Sequence, residues 1–329
     1  MTPRLSVAFR SRGNPTHLLG SAKKAENSGF RRIWLVEVYE TDVLALASAL
    51  AQSTKRIGIA AGVVNSYLRL PFLLAMASAT VSDLSRGRFT LGIGRGFPPM
   101  RYRNTSESNC SLTQFQETVQ IVRELLTGRS VTFQGKLFSV SDLGLGVPPS
   151  HPVKVYSAGM GPGTVELAAK HADGVLLMLT TRGFVRKAKS IINEALAKRK
   201  DPPSTFPIAC HLVTCVSRNR KEAEVAAKRT LATYITIAPY RDSIKRLGFA
   251  QEVQEIEEAI KSRGVESASE KLSEEMLDEF MVYGTPADCR TKIATYVDEG
   301  VDEPIVYPSN PTLPFPHDIN RTLSLMSQN

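Results

Sequence analysis

Ile33-Trp34-Leu35-Val36, then the helical pattern Asp42 to Gln52, then the apolar run Ile57 to Val64, then a second helical pattern from Pro71 to Leu84: a short β-branched run gives way to a helix, twice over. Asp42 stands where an N-cap belongs, and Pro71 where a first helical turn tolerates proline. Outward from this stretch the rhythm continues. Leu5 to Phe9 is an apolar run followed by a helical pattern from Pro15 to Ser28 that closes at Gly29, and Arg88 to Ile93 precedes a helix over Leu112 to Leu126 that stops at Gly128. Further runs at Val153 to Ser157, Asp173 to Leu179, Pro207 to Val216 and Ile305 to Tyr307 each lie beside a helical segment. Eight apolar runs alternating with helices is the count of a (β/α)8 barrel.

Two segments fall outside the alternation. Ser130 to Phe133 and Lys136 to Val140, joined through Gln134-Gly135, read as a β-hairpin inserted after helix four. A long helical region from Asn219 to about Phe280, broken near Pro239, Gly248 and Gly264, follows strand seven. The 329 residues divide by the usual domain size into two units, yet one barrel over residues 1–329 with these two insertions explains the whole chain. A doubly wound sheet would carry a Gly-rich loop after its first strand, and none follows Phe9.

The composition, 42% hydrophobic and 22% charged, is that of a chain able to bury a core. Its apolar stretches are too short to span a membrane, and Met1 to Phe9 lacks the features of a secretion signal. Cys110, Cys210, Cys215 and Cys289 form no CxxC pair, and the five histidines show no metal-ligand spacing. A cytoplasmic protein without a metal is the expectation. The 41 Lys+Arg against 32 Asp+Glu, net +9, favour an anionic partner. No RNA- or DNA-binding motif and no basic amphipathic helix accompany that charge, which leaves an anionic small molecule.

Barrels of this kind place their chemistry in the loops that follow the strands. After strand five, Ala158-Gly159-Met160-Gly161-Pro162-Gly163 leads into a helix N-terminus, where free N–H groups and the dipole suit a phosphate; a tight turn would also use such glycines. Arg95 lies between Gly94 and Gly96, which let a ligand approach the backbone. It is either a ligand contact or a solvated loop arginine. From Lys55 to Arg103 eight basic residues face the lone Asp83, and Arg69, Arg95, Arg101 and Arg103 of these belong at the barrel mouth, with Arg86 and Arg88 at the opposite end. Glu37, at the end of strand two, is the best-placed carboxylate, either catalytic or paired to a neighbouring arginine. His171 and His211 read as packed histidines, and no nucleophile motif is present.

Gly62-Val63-Val64-Asn65-Ser66-Tyr67-Leu68-Arg69, Leu84-Ser85-Arg86-Gly87-Arg88-Phe89-Thr90-Leu91-Gly92-Ile93-Gly94-Arg95-Gly96, Ala172-Asp173-Gly174-Val175 and Gly284-Thr285-Pro286-Ala287-Asp288-Cys289 together resemble the signatures of the luciferase-like monooxygenase superfamily. The spacing is most similar to its methylenetetrahydromethanopterin reductase branch, which uses the deazaflavin coenzyme F420. That resemblance implies a flavin-like ring at the strand C-termini. Gly62-Val63 would form a non-prolyl cis bond or bulge behind the ring, Val64 and Asn65 would line it, and Glu37 would face its polar edge. Arg95 and Gly96 would flank the side chain of the cofactor, and Ala158, Gly159, Met160 and Gly161 would hold its phosphate through backbone N–H groups.

The departures from the pattern narrow the chemistry. Many members carry Asp-His where this chain has Glu37-Val38, and sugar-phosphate dehydrogenases of the group carry a glutamate at the position of Phe97. Strand one ends Ala8-Phe9-Arg10, where reductases of this type often place a glutamate. Alcohol oxidation and luciferase-type oxygenation thereby lose proton-carrying groups, whereas direct hydride transfer is mainly a task of positioning. The expected activity is hydride transfer between F420 and a small or pterin-like substrate, in a homodimer or higher homo-oligomer. The alternatives are an FMN-dependent monooxygenase or a cofactor-binding protein without catalysis.

Overall fold

The computed structural model describes residues 4–38, 40–96 and 111–328. Its strands are β1 (Ser6–Arg10), β2 (Arg32–Val36), β3 (Gly58–Asn65), β4 (Phe89–Gly94), β5 (Val131–Gln134), β6 (Ser139–Leu143), β7 (Lys154–Gly159), β8 (Gly174–Met178), β9 (Ile208–Val216), β10 (Val282–Gly284) and β11 (Glu303–Pro308). Its helices are α1 (Pro15–Asn27), α2 (Val43–Ser53), α3 (Pro71–Leu84), α4 (Leu112–Leu125), α5 (Pro162–His171), α6 (Arg182–Ala197), α7 (Arg220–Ile235), α8 (Ala238–Ile244), α9 (Ala250–Ser269), α10 (Glu274–Phe280), α11 (Pro286–Asp298) and α12 (His317–Leu325). Strands β11-β1-β2-β3-β4-β7-β8-β9 pair in parallel, and the β8–β9 and β9–β11 pairings close the ring. These are the eight barrel strands expected from the alternation.

Each barrel strand is largely buried on both faces, so its side chains sort by alternation. Val7, Phe9, Ile33, Leu35, Ile59 and Ala61 join the outer core, between the strands and the helices. Ala8, Trp34, Ala60, Tyr156, Leu176, Ala209 and Ile305 form the inner one. Small residues face inward around two large rings: Trp34 and Tyr156 lie 5.6 Å apart by ring centroids, and a Cβ at Gly174 would stand 2.8 Å from the Tyr156 ring. At the base of the barrel the buried Glu303 carboxylate accepts hydrogen bonds from Ser6 Oγ at 2.6 Å, Trp34 Nε1 at 2.8 Å and Arg32 Nη1 at 2.6 Å.

The helix ends follow their sequence signals. Asp42 caps α2 by accepting the Leu44 and Ala45 N–H groups. Thr285 and Asp288 form a reciprocal capping box at α11, which accounts for the Thr285-Pro286-Ala287-Asp288 motif. Arg88 lies at the far end of the barrel from the cavity, spent on the carbonyls of Ala51, Thr54, Ile57 and Ser85.

The insertion after β9 comprises α7, α8, a π-helical turn over Lys245–Phe249, α9 and α10, with non-helical backbone at the expected Gly248 and Gly264. Two elements were not expected. Strand β10 is three residues long, too short to show alternation, and pairs with β9 at Thr214–Val216. Helix α12 follows the proline-rich segment Pro308 to Pro316. No helix among the described residues is long and apolar enough to cross a membrane.

The β5–β6 hairpin is fastened to α4 by one carboxylate. Buried Glu117 accepts the N–H groups of Lys136, Leu137 and Phe138 at 2.7, 3.0 and 2.9 Å. Desolvation raises its pKa, but the three N–H bonds outweigh that and the net shift is downward. The tie is therefore complete above the ordinary carboxylate range and is lost as pH falls through the lower folded value. Glu117→Gln is expected to speed amide hydrogen exchange at Leu137 and Phe138 by about tenfold or more, the equivalent of about 1.4 kcal/mol. Unchanged exchange would show that the hairpin is held by other contacts.

Candidate active site

A cavity of about 1020 Å³ opens at the C-terminal ends of the barrel strands, above the inner core. Its geometry begins with a misfit between two strands. The β3–β4 register slips between Ala61 and Val64, and the Gly62–Val63 peptide is cis. A Cβ on Gly92 would stand 2.3 Å from the Ala61 carbonyl oxygen, and one on Gly94 would stand 2.4 Å from Val63 Cγ2. The alternate glycines of β4 thus make room for the bulge of β3. The slip lets Gly62 and Val63 line the cavity, along with Asn65.

One rim of the cavity is an ionic network. Arg69 donates to both oxygens of Glu37, at 2.9 and 2.6 Å, and to Asp42 at 2.5 Å. Glu37 Oε2 also accepts the Asn65 N–H at 2.8 Å. Asn65 Oδ1 accepts the Tyr67 N–H, and a Cβ on Gly96 would fall 2.0 Å from that oxygen. Glu37 thus faces the cavity as a fixed carboxylate that holds the end of β3. Of the arginines expected at the mouth, Arg69 is committed to this network; Arg95 lines the cavity, and Arg101 and Arg103, like Phe97, lie outside the described residues.

Across the cavity lies the β7–α5 turn. Gly161 is the N-cap of α5, so no cap side chain is available to its first turn, and no acidic residue stands there. The Met160 and Gly161 N–H groups donate to Thr164 Oγ1 at 3.1 and 3.2 Å. Pro162 has no N–H, so the donors that the helix geometry leaves for a ligand belong to Gly163 and Thr164, both of which line the cavity. The open N–H groups thus lie on the helix side of the Ala158–Gly161 span named from sequence.

The floor contains groups that the sequence reading did not assign to the site: His211, read as a packed histidine, and Arg10, noted only where related reductases often place a glutamate. His211 lines the cavity, stacks on Tyr307 at 5.5 Å and meets the edge of Trp34 at 6.2 Å. It is 2% exposed, and its Nε2 has no hydrogen-bond partner among the described residues. Burial pushes its pKa down to about 3, so the ring is neutral at ordinary pH. Arg10 ends β1 on the same inward face as Ser6 and Ala8 and pairs with Asp318 at 2.5 Å. The insertion supplies Thr230, Tyr234, Pro239 and Tyr240 to the wall.

The structure brings Glu37, Gly62, Val63, Asn65, Arg95, Gly96, Ala158, Met160 and Gly161 to one cavity. Two expected residues are not among its lining. Val64 is fully buried in the outer core, because the bulge turns it toward the helices. Gly159 faces outward, where a Cβ would meet Val165 and Val175 at 3.1 Å. The inward faces of β1, β9 and β11, read by strict alternation, would have flagged Arg10, His211 and Tyr307.

Residues 2–303 match the family model for luciferase-like monooxygenases. The chain belongs to that family. A relative, the 5,10-methylenetetrahydromethanopterin reductase of Archaeoglobus fulgidus, is 29% identical over 287 residues, covering 85% of this chain and 86% of its own. The F420-dependent glucose-6-phosphate dehydrogenase of Amycolatopsis mediterranei is 30% identical over 176 residues, covering 49% of this chain and 53% of its own. Among solved structures, the coenzyme F420-dependent tetrahydromethanopterin reductase of Methanopyrus kandleri superposes with a TM-score of 0.82 at 21% identity, over 100% of this chain and 98% of that one. An F420-dependent secondary alcohol dehydrogenase bound to an F420–acetone adduct gives 0.78 at 20% identity, over 99% and 98%. These likenesses fix the luciferase-like barrel as the fold.

His211 yields a pH-dependent prediction. An unfolded histidine titrates near its ordinary value of 6.5 and the folded ring only near 3. Between those values the unfolded chain binds the extra proton, so stability falls as pH drops through this window. His211→Gln is expected to flatten the decline by up to about 1.4 kcal/mol per pH unit, measured by urea unfolding between pH 6.5 and 4. Parallel curves for the two proteins would mean that His211 is protonated in the fold.

Proposed function

We propose that this chain is an F420-dependent oxidoreductase that moves a hydride between the deazaflavin and a small or pterin-like organic substrate. The observation that carries the reading is one continuous cavity joining the open N–H groups of the α5 N-terminus to the ledge formed by Val63 and Asn65. A phosphate-bearing ring cofactor fits these residues: donors without a cap side chain at one end, an apolar shelf and a fixed polar rim at the other. The F420-dependent glucose-6-phosphate dehydrogenase among its relatives supports the choice of cofactor.

Gly163 and Thr164 would hold the phosphate, and Arg95 and Gly96 the remainder of the side chain, with Ala158, Met160 and Gly161 shaping the wall between them. Gly62, Val63 and Asn65 would carry the ring. Glu37, locked by Arg69 and Asn65, would set the polar edge of the ring by position rather than by carrying a proton. Bound F420 supplies a ring carbon able to give or take a hydride. The residues of the chain then align the reacting partners and keep water out, with Leu176, Met178, Ile237 and Pro239 closing the apolar side. The neutral His211 offers hydrogen bonding without acid catalysis at ordinary pH.

Calorimetric titration of the purified chain with F420 and with FMN tests the cofactor. F420 is expected to bind and FMN to bind at least about tenfold more weakly, a gap of about 1.4 kcal/mol. Gly161→Asp, whose N-cap carboxylate would compete with the phosphate for the Gly163 and Thr164 N–H groups, is expected to weaken F420 by about tenfold or more, less so at high salt. Tight FMN binding with none for F420 would replace the reading by that of a flavin monooxygenase.

We also propose that two copies of the chain associate through α3, where Leu73, Met76 and Leu84 are exposed together with the preceding Leu70. Leu73→Glu is expected to convert a dimer to a monomer in sedimentation equilibrium. A wild-type monomer would dismiss this surface.

A further inference from the structure

The substrate side of the cavity is marked by a cation. Arg10 stands at the C-terminal end of β1, facing into the barrel, with its side chain 24% exposed to the cavity. Asp318, from α12, is the acceptor the structure gives it, through one guanidinium nitrogen at 2.5 Å. Asp318 is itself buried, with its other oxygen on the Ile319 N–H. A guanidinium has five N–H donors in a planar fork, so this pairing fixes the group and leaves donors for a ligand.

The surroundings define what such a ligand can be. Among the described residues, the carboxylates lining the cavity are Glu37 and Asp242, and Glu37 is already held by Arg69. Beside Arg10 stand the hydrogen-bonded Tyr234 and Tyr307, whose phenols stay protonated because burial raises both. His211, stacked on Tyr307, is neutral. Arg12, also near Asp318, is engaged with Glu40 and the Phe315 ring. Arg10 is thus a fixed cation beside phenols on the β1 side of a cavity whose other lining cations, among the described residues, are Arg95 and Arg246. Asp318 cancels part of its charge, which suits a flat monoanion better than a phosphate dianion.

We infer that the substrate carries a carboxylate, and that Arg10 is the residue that selects and orients it. This rests on the reading of the cavity as the place where substrate meets cofactor. It adds a substrate class: ring-bearing organic acids whose reacting carbon lies near the carboxylate. Arg10 is a specificity determinant, and Asp318 a positioning residue that holds it.

The probes are cinnamate, its methyl ester and its primary amide, which share a shape and differ in charge. Binding is measured by calorimetry on the full chain, with and without saturating F420. Cinnamate is expected to bind at least about tenfold more tightly than the ester or the amide. Arg10→Gln is expected to abolish that preference while leaving F420 affinity unchanged. Asp318→Asn, which removes the internal competitor, is expected to tighten cinnamate severalfold, a gain that misfolding cannot imitate. Equal affinity for acid and ester in the wild type, no binding of any of the three at millimolar concentration, a preference that survives Arg10→Gln, or weaker cinnamate binding in Asp318→Asn would each overturn the assignment. Failure of F420 to bind while the carboxylate preference persists would remove the cofactor reading and leave the Arg10 assignment standing.

Discussion

Inside a closed parallel barrel every inward side chain competes for the same narrow volume, and in this chain Trp34 and Tyr156 take most of it. Their rings lie 5.6 Å apart, with alanine and glycine on the neighbouring strands giving way to them. The indole N–H is fixed on Glu303, which also collects Ser6 and Arg32. Removing one member of such a cluster leaves a buried charge or donor unpaired, a loss of several kcal/mol in typical cases. The filled lower half is what leaves the upper half open. A cavity of this size at the strand ends exists because the large side chains sit below it.

The upper half is shaped by a second fit. Gly92 and Gly94 on β4 allow the irregular Ala61–Val64 segment of β3 to approach at distances no Cβ would permit. Asn65, just beyond it, is then held by Glu37 after β2 and pressed on Gly96 after β4. Arg69 completes the circuit by joining Glu37 to the α2 cap, Asp42. Three strand ends and one helix start share a single network, so a change at any member is felt at the rim. Asp42 reflects this: desolvation raises its pKa, but the Ala45 N–H and Arg69 outweigh it and hold the carboxylate low.

The barrel was legible in the sequence because its signal is repeated. Eight apolar runs at regular intervals survive errors of a residue or two at their ends, whereas β10, with three residues, carries no period to detect. The motifs that resembled a family are mostly structural in origin. Asp173 accepts the Val155 N–H and pairs with Arg123, Gly174 clears the Tyr156 ring, and Arg88 laces loops at the far end of the barrel. They report the fold more directly than the substrate. Val64 and Gly159 were placed at the site by analogy, but a bulge and a pleat turn them outward. Arg10, His211 and Tyr307 sit in no motif, and only the registration of β1, β9 and β11 around a closed ring brings them together.

The chain contains a single tryptophan, and it lies directly beneath Gly62, which lines the cavity. Trp34 is fully buried, its benzo edge beneath Gly62, where an added Cβ would approach Cε3 to 2.6 Å. Its ultraviolet emission therefore originates at one known point, shielded from solvent quenchers and directly under the shelf formed by Gly62 and Val63. A conjugated ring lying on that shelf would accept its excitation energy, while a ligand confined to the rim would leave the emission nearly untouched. The packing constraint that hollowed the barrel has also installed an optical reporter of what enters it.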